Sequence, residues 1–262
     1  MHKIFGLKHL IIVAVCVALI AVLSVFARKL KFKTICKALF GVGIVSEIIK
    51  IFYYIVRNES VYGGLLPKTD LPFHLCSIQI IFIAIIVVSN NDKLKRFILS
   101  FMVPSCLFGG IAAIFIATNS SLNGMFIITA QYFLYHVAIT VFSIYLLTSK
   151  EIELNIKDYF NCLKFLVIIM FFAIYINSVV SSDAITTNFM YVVDPPQSGL
   201  PFLNENHGWL VYMAHYACLI FLCVSLCYVK PIVKTLKEKF ARKEIAVLEV
   251  ATTKVDDKDE QN

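Results

Sequence analysis

Charge is what this chain has least of. Asp, Glu, Lys and Arg make up 16% of its 262 residues, against 59% hydrophobic. A soluble domain of this size needs far more polar surface to cover its outside, so a globular fold in water is excluded. The mean hydropathy of +0.81 points to lipid as the solvent. Paired cysteine spacing is also missing. All eight cysteines lie in or beside apolar runs, and none forms a CxxC pair. That excludes a zinc knuckle and a disulfide framework, and no metal or other cofactor is expected. Nor is an internal repeat visible. The net charge of +7 comes from short basic blocks between apolar runs. Such blocks mark cytoplasmic loops of a membrane protein, so lipids and not nucleic acid are the expected partners.

What is present is a series of long apolar stretches. A helix needs about 20 apolar residues to cross a bilayer. Seven stretches qualify: Leu7 to Ala27, Ile35 to Val56, Leu71 to Ser89, Phe97 to Ala117, Phe126 to Leu147, Phe160 to Val180 and Gly208 to Val229. The fourth holds Pro104 and the Gly109-Gly110 pair, which predicts a bend or a close helix contact. Arg28, Lys29, Lys31, Lys33 and Lys37 follow the first stretch and outnumber Lys3 and Lys8 at its outer end. Positive charge stays in the cytoplasm, so the first helix inserts with its N-terminus outside and is retained. Lys93, Lys95 and Arg96, then Lys157, then Lys230, Lys234 and Lys237 fall on the same side. The long opposite loop from Ser181 to His207 has no Lys or Arg but holds Asp183, Asp194 and Glu205. The expectation is an all-α polytopic bundle of about seven transmembrane helices, N-terminus out and C-terminus in. It is a multi-pass protein of the cell membrane, with a helical domain over 1–243 and a flexible polar cytoplasmic tail over 244–262. The oligomeric state stays open.

Ionisable and polar groups within a span are costly and each needs an account. Glu47 and Lys50 lie three apart on one face of the second helix, and a structural ion pair is one reading of them. The third stretch begins Pro72-Phe73-His74-Leu75-Cys76 and continues to Gln79. The fifth holds Gln131, Tyr132, Tyr135 and His136; Asn177 ends the sixth; His207 and His215 lie at the start of the seventh. As continuous helix, His74 would lie roughly 5 Å and Cys76 roughly 8 Å below the outer end. On the same ruler Gln79, His136 and Glu47 fall roughly 12 to 15 Å deep. A shared depth in the outer half suggests a polar pocket open to the outer side.

Pro72-Phe73-His74-Leu75-Cys76, the histidine of the Gln131-to-His136 helix, and Asn188-Phe189-Met190-Tyr191 before Pro195-Pro196 occur in this order. Together they resemble the YwaF-type bacterial membrane proteins, which belong with eukaryotic transmembrane protein 164. The resemblance runs from the first basic loop to the last helix. It implies a bundle of six or seven helices with a site in its core. It also implies acyl transfer on phospholipids through a cysteine, a histidine and an acyl-enzyme. His136 matches the family histidine. The family cysteine lies beside the Pro-x-His, where this chain has Phe73, and the nearest thiol is Cys76.

The leading expectation is an intramembrane acyl-transfer enzyme or lipid hydrolase. Cys76 is its candidate nucleophile, with His136 or His74 as the base. Gln79 or Asn177 would stabilise the oxyanion, and Glu47 would orient a histidine. His215 completes the expected pocket lining. Two other readings are a transporter for a small solute, proton-coupled through Glu47, Lys50 and His136, and a non-catalytic membrane scaffold.

Overall fold

The computed structural model describes residues 5–57, 66–117, 119–149, 152–196, 203 and 208–242. Lys3, Glu205, His207 and the tail 244–262 lie outside them. The chain folds into α1 (Leu7–Ala27), α2 (Phe32–Arg57), α3 (Ile78–Val88), α4 (Asp92–Phe115), α5 (Asn119–Asn123), α6 (Phe126–Thr148), α7 (Ile156–Val180) and α8 (Trp209–Cys227). Residues 229–242 are also helical. Among the described residues, α1, α2, α4, α6, α7 and α8 are long and apolar enough to cross a membrane. With no strand among the described elements, the architecture is a polytopic helical bundle.

The third stretch departs from the expected continuous helix. Only its 11-residue second half, α3, is α-helical. That covers about 16 Å at 1.5 Å per residue, roughly half of a hydrocarbon core. Pro67 and Pro72 lie just upstream. Each lacks an N–H and biases its predecessor away from the helical region. The depths expected for His74 and Cys76 assumed helical rise and do not apply to this irregular chain.

Contacts sort the elements into two ends. At one end, Arg96 near the start of α4 grips Asp158 near the start of α7 through Nε and Nη2, both at 2.8 Å. Asp158 and Asn155 form the capping box that starts α7. Tyr145 near the end of α6 donates to the Leu30 carbonyl at 3.2 Å, between α1 and α2. This is the basic end. At the opposite end, Lys8 donates to Leu122 O at 2.9 Å and Lys68 to Val180 O at 3.2 Å. Residues 66–88 therefore lead from the opposite end toward the basic one, half of the way without α-helix, with one 3-10 turn over Lys68–Asp70. At the centre, α4 lies against α6, with α1, α2 and α7 around them. Gly110 provides the close contact anticipated for the fourth stretch. A Cβ there would fall 2.2 Å from Thr140 Oγ1 and 3.0 Å from the His136 carbonyl.

In lipid, each carbonyl freed from a helix needs a new donor. Pro104 lies inside α4 and cannot donate to Ser100 O, four residues earlier. Tyr228, fully buried just past α8, donates to that carbonyl at 2.8 Å. The C-terminus of α4 is closed in the same way. Tyr132 OH donates to Ala113 O at 3.2 Å, and His9 Nε2 lies 3.0 Å from Ile114 O. His9 must donate through Nε2, because its Nδ1 accepts from the Phe5 N–H at 3.0 Å. Its role is structural, and both ring nitrogens are satisfied. Tyr228→Phe should lower unfolding stability by about 1–3 kcal/mol, the cost of a buried unsatisfied carbonyl. In a Pro104→Ala background the restored N–H should remove most of that cost. Thermal denaturation of the four proteins in detergent measures the coupling.

Candidate functional site

The irregular chain before α3 is where the four central elements meet. From α2, Lys50 Nζ donates to Asp70 O at 3.1 Å and pairs with Glu47 at 2.8 Å. Tyr54 hydroxyl also bonds the Asp70 carboxylate. From α4, Ser105 Oγ receives the Gln79 amide at 3.1 Å, and Gly109 lies under Leu75. From α6, Tyr135 OH donates to the carbonyl of Cys76 at 2.7 Å. From α7, Phe172 meets Phe73 edge-on at 5.9 Å between ring centres. The contacts to Asp70 O and Cys76 O pair main-chain carbonyls, and Phe172 and Gly109 cover apolar side chains. Gln79, in the first turn of α3, and the Asp70 carboxylate bond side chains of the neighbouring helices.

Two histidines in this region have defined tautomers. Nδ1 of His136 lies 2.6 Å from the Tyr132 carbonyl, which can only accept, so Nδ1 carries the proton. In the neutral ring Nε2 is then the basic nitrogen, and it makes no hydrogen bond among the described residues. His136 is 3% exposed, with the Tyr132 ring 4.3 Å away, centre to centre. His74 is the reverse case. Its Nε2 donates to Thr69 O at 3.0 Å, leaving Nδ1 as the acceptor, and its ring stands edge-on to Phe189 at 5.1 Å. Cys76 is half-buried and carries a free thiol. That thiol hydrogen-bonds neither imidazole. Tyr135, the neighbour of His136 in α6, is the direct tie between the two candidate residues.

The sequence model of the TMEM164 family matches residues 4–228, from the start of α1 to the end of α8. The chain belongs to the TMEM164 family. No curated protein and no solved structure matches it. The matched span contains every residue of the irregular segment and both histidines, and stops just before helical residues 229–242.

The remaining expected site residues of this TMEM164-family chain divide by what they touch. The Gln79 amide donates to Leu75 O at 2.9 Å and to Ser105, and its oxygen accepts from the Cys106 thiol at 3.4 Å. Asn177 donates to Ala173 O at 2.8 Å and Phe189 O at 3.0 Å, and accepts from Phe189 N at 2.8 Å. Both amides are engaged in holding backbone, so neither is a ready oxyanion donor. Glu47 touches Lys50 and neither histidine. His215 is exposed on α8 and is not brought to the others.

Residues not expected to line the site do much of the positioning. Phe189 is fully buried and packs on both Phe73 and His74. Its loop is bound from α8. Tyr216 OH donates to Met190 O at 3.1 Å, Tyr212 OH to Tyr191 O at 2.5 Å and Trp209 Nε1 to Val192 O at 2.9 Å. Met190 and Tyr191 hold positive φ of 57° and 53°, which side chains other than glycine rarely adopt. The Asn-Phe-Met-Tyr motif was the available signal, yet nothing local to it shows that it roofs His74. Asn177→Ala should cost about 2–3 kcal/mol through lost buried hydrogen bonds to Phe189. It should also shift the emission of Trp209, the single tryptophan of the chain. An unchanged spectrum with unchanged stability would remove Asn177 from this role.

Proposed function

We propose that this multi-pass protein is an acyl-transfer enzyme of the cell membrane, its basic end in the cytoplasm and its site in the opposite half. Cys76 is the nucleophile and His136 the general base. The observation that carries the reading is the Tyr135–Cys76 hydrogen bond beside His136, whose Nε2 alone is basic and has no partner among the described residues. A fixed tautomer with a free lone pair is what a base needs. Tyr135, the residue before His136, holds the main chain of Cys76. Family membership supports a membrane enzyme of this class.

In the proposed reaction Nε2 takes the thiol proton and the Cys76 sulfur attacks the carbonyl carbon of a lipid ester. The tetrahedral adduct breaks its C–O bond, and the imidazolium returns its proton to the leaving alcohol. A thioester remains on Cys76. A second alcohol, or water, attacks that thioester with His136 again as base and restores the thiol. Thiol and imidazole need not touch beforehand, because catalytic hydrogen bonds often tighten only with substrate in place. His74, bonded to Thr69 and roofed by Phe189, positions the segment that carries Cys76. Glu47 is the counter-charge of Lys50, which takes from a proton-coupled carrier two of the unpaired charges it would use.

Cys76→Ala should abolish labelling by an acyl-donor probe. His136→Ala should slow labelling by about 100- to 10,000-fold, the usual contribution of a general base. His136→Gln should be equally slow while keeping a polar side chain at that position, which separates catalysis from folding. Labelling that persists at wild-type rate in Cys76→Ala would end the proposal.

A further inference from the structure

The helical stretch 229–242 lies beyond the family match and beyond the proposed site. Ile232 packs back against the cluster around Tyr159 and Tyr228, while the exposed apolar residues Val229, Val233, Leu236 and Phe240 recur at intervals of four, three and four. At about 100° per residue they fall within about 60° of one another, a single stripe. The stripe is uncovered: the four are 50%, 43%, 49% and 67% exposed. Lys230 and Lys237 border it on one side and Lys239 on the other, with Lys234 and Arg242 farther round. Glu238 is the one acidic residue between 229 and 242.

Position narrows what can cover that face. The stretch begins directly after α8, at the basic end. Tyr228 closes α8 with φ −103° and ψ 14°, and its hydroxyl is fixed to Ser100 O at 2.8 Å. Pro231, three residues on, has no N–H to continue the helical ladder. The ladder is interrupted at this one position, while Ile232 N still bonds Tyr228 O at 3.0 Å across the junction. A helix that starts there with one apolar stripe and basic flanks has the composition of a surface-lying membrane helix. Retention of positive charge on the cytoplasmic side explains lysines after the last span, but not why apolar residues form a stripe between them.

We propose that residues 229–242 lie in the lipid interface at the basic end, binding acidic phospholipid headgroups. Val229, Val233, Leu236 and Phe240 enter the acyl region. Lys230, Lys237 and Lys239 reach along both edges of the stripe to the phosphates, their stems covering apolar surface. The helix continues α8 as an anchor, independent of whether Cys76 and His136 perform acyl transfer.

Phe240→Trp in the full chain reports on this directly, since Trp209 lies at the far end of α8. The protein is placed, one copy per nanodisc, in zwitterionic lipid or in lipid containing phosphatidylglycerol, each with or without mid-chain bromine. The expected result is that bromine quenches about half or more of the added fluorescence in the acidic discs. Quenching should fall in the zwitterionic discs, in high salt, and in a Lys230→Glu, Lys237→Glu, Lys239→Glu variant. Equal accessibility of the new tryptophan to iodide in all discs would overturn the proposal, as would quenching that ignores lipid charge. Shielding that appears only when two copies share a disc would assign the stripe to a second chain and overturn it also. Leu236→Gln, with Phe240→Trp retained, gives a second measurement that leaves the spans and their lysines intact.

Discussion

Hydrocarbon offers no partner to an unpaired main-chain carbonyl, and this fold is organised around the places where a helix fails to supply one. Pro104 frees Ser100 O, and Tyr228 reaches across from the end of α8 to bind it. The end of α4 exposes Ala113 O and Ile114 O, which take Tyr132 and His9. The unwound chain before α3 exposes Asp70 O, which takes Lys50, and Tyr135 adds a bond to Cys76 O, which Gln79 N reaches at 3.2 Å. In each case a donor comes from a different helix. The same bonds that satisfy the backbone therefore fix how the helices are rotated and how far they slide.

The candidate site follows from that constraint. A continuous third helix would bury its own carbonyls and need nothing from α2 or α6. Because Pro67 and Pro72 prevent it, Lys50 and Tyr135 are drawn onto the segment and Cys76 is anchored beside the His136 turn. His136 shows the same economy. Its Nδ1 proton goes to the Tyr132 carbonyl, while the Tyr132 hydroxyl closes the end of α4. Helix closure and the choice of tautomer thus share one residue. Phe189 adds the cover over Phe73 and His74, held by Asn177 on α7 and by the tyrosines of α8.

Several features were legible from the residues themselves. Leu7 to Ala27 matches α1 at both ends, and Phe126 marks the start of α6, because apolar runs of that length have one stable solution in lipid. The blocks at Arg28, Lys93 and Lys230 mark one end of the bundle, since charge can gather only outside hydrocarbon. Gly110 read correctly as a close contact. The third span did not. Its hydropathy is that of a crossing, but hydropathy records side chains, and it was proline's missing N–H that decided the backbone.

The sequence by itself determined the solvent, six of the seven expected apolar spans, the polarity of the two ends and the family. Those follow from composition and short-range order, which the surroundings cannot change. Tertiary structure alone decided which nitrogen of His136 is basic, that Cys76 is tied to the neighbouring turn of α6, that Gln79 and Asn177 are already engaged, and that His215 faces away. The physical reason is the range of the bonds concerned. Cys76 and Tyr135 meet across 59 positions of chain and Ser100 and Tyr228 across 128. Such partners are chosen by the rotation of packed helices about their axes, which no local pattern of residues specifies.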